Sequence, residues 1–382
     1  MDNFTETKLG KFKWEVVRGY AETRETKSLV AYPTSIEECL ELIEVCKKNG
    51  LSICPRGNGY TYGDMILNDG QVILDLSHMD RILSWNEDQG VIIVQPGARF
   101  SDIFSTVLPY NWSLSSCPGG MGITIGGAVS NNVHGKDSWK NGNFGSQVVS
   151  LKLVTSTGDI LTVDRDKNPN ILKAVIGGMG LLGIIVEITL QMKKVPSAFV
   201  GVSTISVRNI EESIERIEQA REDSDFIVSW IDAFASGSSL GRGYVTFAKW
   251  VDNKISLDNK RLLESLRMST RIFNILPSKP TWYVLRPFFN PASIQRVNSF
   301  NYFLSKIKGL KKNTMLYTEY NFMHNMIPDL KYVYRPHGFL EFQPLIPRKN
   351  GVHAVAEVFR LCQKYETQSL LCGVKAHKDD DY

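Results

Sequence analysis

Apolar positions in the first half of the chain recur at two periods. From Pro33 onward, Ile36, Cys39, Leu40, Ile43 and Cys46 follow helical spacing. Thr34 or Ser35 is placed to cap that helix, Glu37 and Glu38 sit in its first turn, and Lys47-Lys48-Asn49-Gly50 ends it. Short apolar, β-prone runs follow at Leu51 to Pro55, Gln71 to Asp75 and Val91 to Gln95, and a helix is predicted from Ser101-Asp102. Val148 to Thr155 and Asp159 to Val163, joined through Thr157-Gly158, predict a hairpin, and Gly183 to Met192 a further strand. Residues 1–30 mix charge with aromatics and read as an arm anchored by Trp14 to Tyr20.

Around Lys193-Lys194-Val195-Pro196-Ser197 the pattern changes, which sets the expected domain division at residues 1–195 and 196–382. Strands are predicted at Phe199 to Val207, Phe226 to Asp232 and Arg242 to Trp250, with an amphipathic helix at Glu211 to Arg221 and another near Ile294 to Lys308. Met315 to Phe322, Phe339 to Pro347 and Ser369 to Lys375 read as three more strands, and His353 to Tyr365 as a helix. The whole reads as α+β.

Between these elements lies a stretch that cannot build a core by itself. From Cys117 to Gly145 the chain carries eight glycines, and most of its polar side chains are amide or hydroxyl. Glycine lets another molecule approach the backbone closely. Exposed N–H groups together with Thr124, Ser130, Asn131 and Asn132 would offer a heteroaromatic or anionic cofactor many hydrogen bonds. Ile123, Ile125, Ala128, Val129 and Val133 interleave with the glycines and imply burial rather than a loose surface loop. A second glycine loop, Arg56-Gly57-Asn58-Gly59-Tyr60-Thr61-Tyr62-Gly63-Asp64, follows the first short strand. Gly178-Met179-Gly180-Leu181-Leu182-Gly183 matches a dinucleotide-binding expression, but a β-branched run follows it where that motif needs a helix.

Composition narrows the partners. The 382 residues carry a net charge of only +4 with the signs well mixed, which gives no nucleic-acid signature and permits association with a membrane surface. The first residues lack the regions of a signal peptide and no run reads as a transmembrane helix, so the protein is expected to be cytoplasmic, peripheral to the membrane at most. Six cysteines lack metal-ligand spacing and read as reduced, buried thiols; His324, His337 and His353 show no metal spacing either, so no metal site is expected.

Two glycine loops separated by a strand pair and the Pro96-Gly97 turn, the second running Gly126-Gly127-Ala128-Val129-Ser130-Asn131-Asn132-Val133-His134-Gly135, resemble the FAD-binding domain of the vanillyl-alcohol oxidase, or PCMH-type, family over residues 30–195. The resemblance implies a domain of two small α+β subdomains and a substrate domain whose antiparallel sheet is flanked by helices. His134-Gly135-Lys136, Gly142 to Gly145, Ser229 to Ala233, Gly338 to Gln343 and Ser369 to Lys375 are most similar to the decaprenylphosphoryl-β-D-ribose 2-oxidases. That likeness implies loss of hydride from a sugar C2′ hydroxyl to flavin, on a polyprenyl-phosphoryl pentose, with a partner short-chain reductase completing an epimerisation. Aldonolactone or alditol oxidation, or a catalytically incomplete flavin-binding protein, are the alternatives.

By the same resemblance, Arg56, Gly57, Asn58, Gly59, Tyr60, Thr61, Tyr62, Gly63, Gly119, Thr124, Ile125, Gly126, Gly127, Asn131, Asn132, His134 and Ile185 fall on FAD contacts. His134, Lys136, Tyr62, Gln343 and Lys375 fall on catalytic or substrate-lining positions. Tyr60 stands where covalent-flavin relatives place His, which implies non-covalent FAD. Relatives continue past Lys375 to a Tyr-x-x-Lys-Asp segment that supplies a base. This chain stops first, so it is expected to be a fragment or to use another base, His134 or Lys136.

Overall fold

In a computed structural model, residues 11–252, 257–308 and 312–379 are described. Three main sheets organise them. In the first, Lys13–Arg18, Glu25–Ala31, Val72–Asp75 and Ile53–Arg56 lie side by side in that order, the last three parallel. The Ile36–Lys48 helix covers this sheet, with Ser35 as its cap, and buries Cys39, Leu42, Ile43 and Cys46 against Leu29, Val72 and Leu74. The expected N-terminal arm is therefore corrected to a hairpin that builds half of a sheet: Val17, Leu29, Val30 and Ala31 are buried on it. Residues 1–10 lie outside the described residues.

The second sheet is wholly antiparallel, in the order Ile82–Asn86, Val91–Val94, Ile184–Gln191, Val148–Val154, Ile160–Asp164. Helices at Phe100–Val107 and Ile125–Ser130 pack on it through Phe100, Ile103, Phe104, Ile125, Ala128 and Val129, all fully buried. Two small sheet-and-helix units thus stand side by side, as a PCMH-type domain requires.

The third sheet, Phe226–Ile231, Gly243–Trp250, Phe199–Val207 and Asn313–Leu316, is antiparallel throughout. Helices Ile210–Ala220 and Pro291–Lys308 lie against it. Asp232, fully buried at the end of its first strand, accepts hydrogen bonds from the Arg242 guanidinium at 2.8 and 3.0 Å and from Asn298 at 3.1 Å. An aromatic seam, Phe104 with Tyr317 and Phe322, and Phe226 with Trp250 and Tyr320, joins this sheet to the second one.

Three expected strands change here. Met315 to Phe322 extends only to Leu316 and then coils into a Tyr317–Asn321 helix. That turn puts Tyr317 and Tyr320, three residues apart, into the same buried seam. Phe339 to Pro347 forms no strand: Pro344 and Pro347 have no N–H to donate to a ladder. Ser369 to Lys375 shrinks to one bridge, Cys372 against Ile231. Beside it the Ser229 hydroxyl accepts from the Val374 N–H at 2.8 Å, taking the place of a ladder carbonyl. Of the six thiols, Cys39, Cys46 and Cys117 are buried as expected, while Cys54, Cys362 and Cys372 are only partly so.

Candidate functional site

The two glycine loops meet face to face. Asn58 donates to the Gly122 carbonyl at 2.9 Å. A Cβ on Gly57 would come within 2.1 Å of the Thr124 hydroxyl, and one on Gly122 within 2.4 Å of the Tyr60 hydroxyl. These contacts explain the glycines at Gly57 and Gly122: the loops approach closer than any side chain allows. Gly59, at φ +69°, turns the first loop with Arg56 folded beneath it.

Thr124 caps the short Ile125–Ser130 helix by accepting from the Gly127 N–H at 3.4 Å. The N–H groups of Ile125 and Gly126 donate to Ala98 and Pro96 at 2.7 and 2.8 Å. The amides expected to face a cofactor at this point are therefore consumed within the fold, a correction with a simple cause. A helix start buried against the Pro96-Gly97-Ala98 turn must satisfy its donors there. Asn131 bonds back to the Gly127 carbonyl at 2.9 Å, and Asn132, at φ 41°, accepts from the Gly145 N–H at 2.9 Å. Ile185 is a core residue, and its strand slips register just after it. Tyr60 stacks on Tyr20 at 5.5 Å, Thr61 holds Tyr20 through its carbonyl at 2.9 Å, and Gly63 passes close to Gly19. Gly119 lies partly open at the second loop's start.

Among the buried polar atoms without a hydrogen-bond partner are Arg56 Nε and Arg99 Nε. Arg56 also pairs with the buried Asp75 carboxylate, and Arg99 bridges to Thr124 and lies near Tyr60. Two guanidinium donors left over beside two glycine loops suit the diphosphate of a dinucleotide such as FAD. The residues present fit that cofactor.

Four of the five expected catalytic or substrate-lining residues converge beyond the second loop. His134 Nε2 lies 3.0 Å from Gln343 Oε1, bridging 209 residues of sequence. The His377 ring stands edge-on to it at 4.8 Å between centroids. Burial first, and the positive charge of Lys375 second, lower the pKa of His134, so that it is neutral at pH 7. Partial desolvation also lowers that of Lys375, although the residue keeps an exposed surface. Lys136 is buried at 8% exposure, donates to the backbone carbonyl of Asn321 at 2.7 Å and to its side-chain oxygen at 3.3 Å, and lies 5.1 Å over the Tyr320 ring. Burial, then Lys375, brings its pKa down to about 8. The adjacent Asp137 is pushed up to about 7 by burial, against hydrogen bonds from Cys117 and Ser116 that favour its charge. The fifth residue, Tyr62, stands one step away, against Phe339 at 5.3 Å.

Sequence reasoning missed four members of this neighbourhood: Asp137, Asn321, Glu341 and His377. Glu341 is the negative charge sensed by Tyr62, His134 and Lys375 together. Asp137 had a signal in its place beside Lys136 within a buried loop. Asn321 and His377 had none, because their neighbours are set by chain crossings.

Residues 27–164 match the family described as the FAD binding domain. The chain is 23% identical over 333 residues to the decaprenylphosphoryl-beta-D-ribose oxidase of Mycolicibacterium smegmatis, covering 86% of this chain and 71% of that one. It is 28% identical over 218 residues to D-arabinono-1,4-lactone oxidase of Candida glabrata, 56% of this chain and 41% of the relative. With D-lactate dehydrogenase of Anaerostipes hadrus it shares 28% identity over 193 residues, 49% of this chain and 40% of the relative. The last two alignments thus span less than half of those relatives. Residues 27–164 thus carry a PCMH-type FAD binding domain, and the chain is similar over most of its length to an FAD-linked oxidase acting on a CH–OH group.

Proposed function

We infer that this oxidoreductase oxidises the C2′ hydroxyl of a polyprenyl-phosphoryl pentose to a ketone, with a separate short-chain reductase completing an epimerisation. The observation that supports this reading is the cationic pair Lys136 and Lys375 beside His134 and Gln343, in which Lys375 depresses the proton affinity of both Lys136 and His134. Two ammonium groups repelling each other near a hydrogen-bonding imidazole favour an anionic, hydroxylated ligand, because its charge relieves the repulsion. A neutral lactone gains nothing from it. FAD, when bound, supplies the hydride acceptor.

The chain's own contribution is proton management and orientation. With Gln343 Oε1 accepting from His134 Nε2–H, the imidazole lone pair resides on Nδ1, which is buried and has no partner among the described residues. Neutral His134 is thereby prepared to take the hydroxyl proton at Nδ1, and Gln343 holds the ring in the required tautomer. The relatives' dehydrogenase and lactone oxidase names keep two competitors in view. Anaerobic mixing with prenyl-phosphoryl ribose, D-arabinono-1,4-lactone or D-lactate should bleach the flavin with the phosphorylated pentose; bleaching by the lactone or lactate alone overturns the assignment.

The flavin is proposed to be non-covalent, since Tyr60 offers no ring nitrogen at the attachment position. Its hydroxyl instead faces Met268 and Gly122. Acid precipitation of the purified protein should leave the yellow colour in the supernatant. A coloured pellet would show a covalent link.

A further inference from the structure

We propose that the surface formed by the Ser278–Leu285 and Pro291–Lys308 helices docks onto an anionic lipid bilayer, apolar side chains entering the headgroup boundary and basic ones meeting lipid phosphates. The first observation is one of sequence. From residue 265 to 318 there is no Asp or Glu, whereas nine Lys or Arg fall there; with 44 basic and 40 acidic residues overall, the remainder is acidic by five. The charges expected to be well mixed are thus corrected to a segregated pattern in this segment, although the net value is small.

The second observation is where the apolar side chains point. On the Pro291–Lys308 helix, Ile294, Asn298 and Tyr302 are buried against the third sheet, and Asn298, Ser299 and Ser305 lock that face to Asp232, Arg242 and Ser206. The opposite face carries Val297, Phe300, Phe303 and Ile307, spaced by three or four residues and 56 to 66% exposed. A helix with a satisfied inner face has no folding reason for a second apolar face. The preceding elements add Val284 at 70% and Phe288 at 65% exposure. Arg271, Lys279, Arg286, Arg296 and Lys306 flank these side chains, and none forms an ion pair with a carboxylate among the described residues.

Exposed apolar patches of this kind mark interaction surfaces, and a segment whose own charged residues are all basic selects an anionic partner. A bilayer fits better than a protein, since it asks for no acid on this surface. No helix of the described residues is long and apolar enough to cross a membrane, so the contact is interfacial. The Ser278–Leu285 helix also packs on the 330–334 turn, and Trp282 donates to Pro328 at 2.7 Å. That turn ends at Tyr334, whose ring packs on Phe339 at 4.9 Å, and Phe339 in turn packs on Tyr62 at 5.3 Å. The inference rests on this surface and stands without the substrate assignment.

The test is co-sedimentation of the holoprotein with vesicles of phosphatidylcholine alone or containing phosphatidylglycerol. Binding is expected only with phosphatidylglycerol and should weaken with salt. Arg286→Gln with Arg296→Gln should reduce partition roughly thirtyfold, at about one kcal/mol per lost charge. Phe288→Ser with Phe300→Ser should reduce it comparably, and flavin content should stay unchanged in both. No binding, or equal binding to phosphatidylcholine alone, overturns the proposal. So does a concentration-dependent dimer, abolished by Phe300→Ser and accompanied by no vesicle binding, which would make the face an interface between copies.

Discussion

His134→Ala is expected to slow flavin reduction by the substrate roughly 10²- to 10⁴-fold, the usual worth of a positioned general base, while FAD content stays near that of the wild type. The expectation follows from the Gln343 contact, which leaves Nδ1 as the buried, unpartnered acceptor. The pH profile carries the sign. Burial and Lys375 lower the His134 pKa, so protonation removes the lone pair only below the ordinary histidine range, and the rate should fall there as pH decreases. Gln343→Ala should lose less activity than His134→Ala, since it frees the ring to rotate without removing the base. Stopped-flow reduction across pH, with FAD occupancy measured in each variant, decides the matter. An unaltered rate in His134→Ala removes His134 from the chemistry.

Lys136→Met should produce two separate effects. Against a phosphorylated substrate, loss of a charge-assisted contact of about 1.5–3 kcal/mol should weaken binding by roughly ten- to a hundredfold, with a neutral lactone nearly indifferent. The second effect concerns stability. In the folded protein the ammonium loses its proton near pH 8, against an ordinary lysine value of 10.5 in the unfolded chain. Between these values the unfolded state binds more protons, so wild-type stability should rise with pH through this window, by on the order of 3 kcal/mol. Lys136→Met lacks that rise. It also leaves the two Asn321 oxygens without their donor, which costs about 1–3 kcal/mol at every pH. Denaturation of both proteins at pH 7 and pH 10 separates the terms. A parallel pH dependence in the two would show that Lys136 titrates as an ordinary surface lysine.

The helix at Ile36–Lys48 was legible because its cap, first-turn acids and apolar spacing all lie within a few residues. The antiparallel strands at Phe199–Val207 and Gly243–Trp250 were legible from alternation for the same reason. The glycine loops were recognisable in order and composition, yet which of their amides remain free was not. The Ile125 and Gly126 donors are spent on Pro96 and Ala98, partners reached only when the loop packs on that turn. Likewise the aromatic run from Tyr317 reads as a strand by its residue types, and burial in the seam with Phe104 and Phe226 makes it a helix.

By itself the sequence determined the local elements, the two glycine loops and the segregation of nine basic residues into an acid-free run, because propensity, capping, glycine freedom and charge are properties of neighbouring residues. Tertiary structure alone decided which distant groups meet. His134 reaches Gln343 across 209 residues, and Lys136 reaches Asn321 across 185. It likewise decided the protonation of those groups, since desolvation and the repulsion between Lys136 and Lys375 exist only once chain crossings bury the charges together.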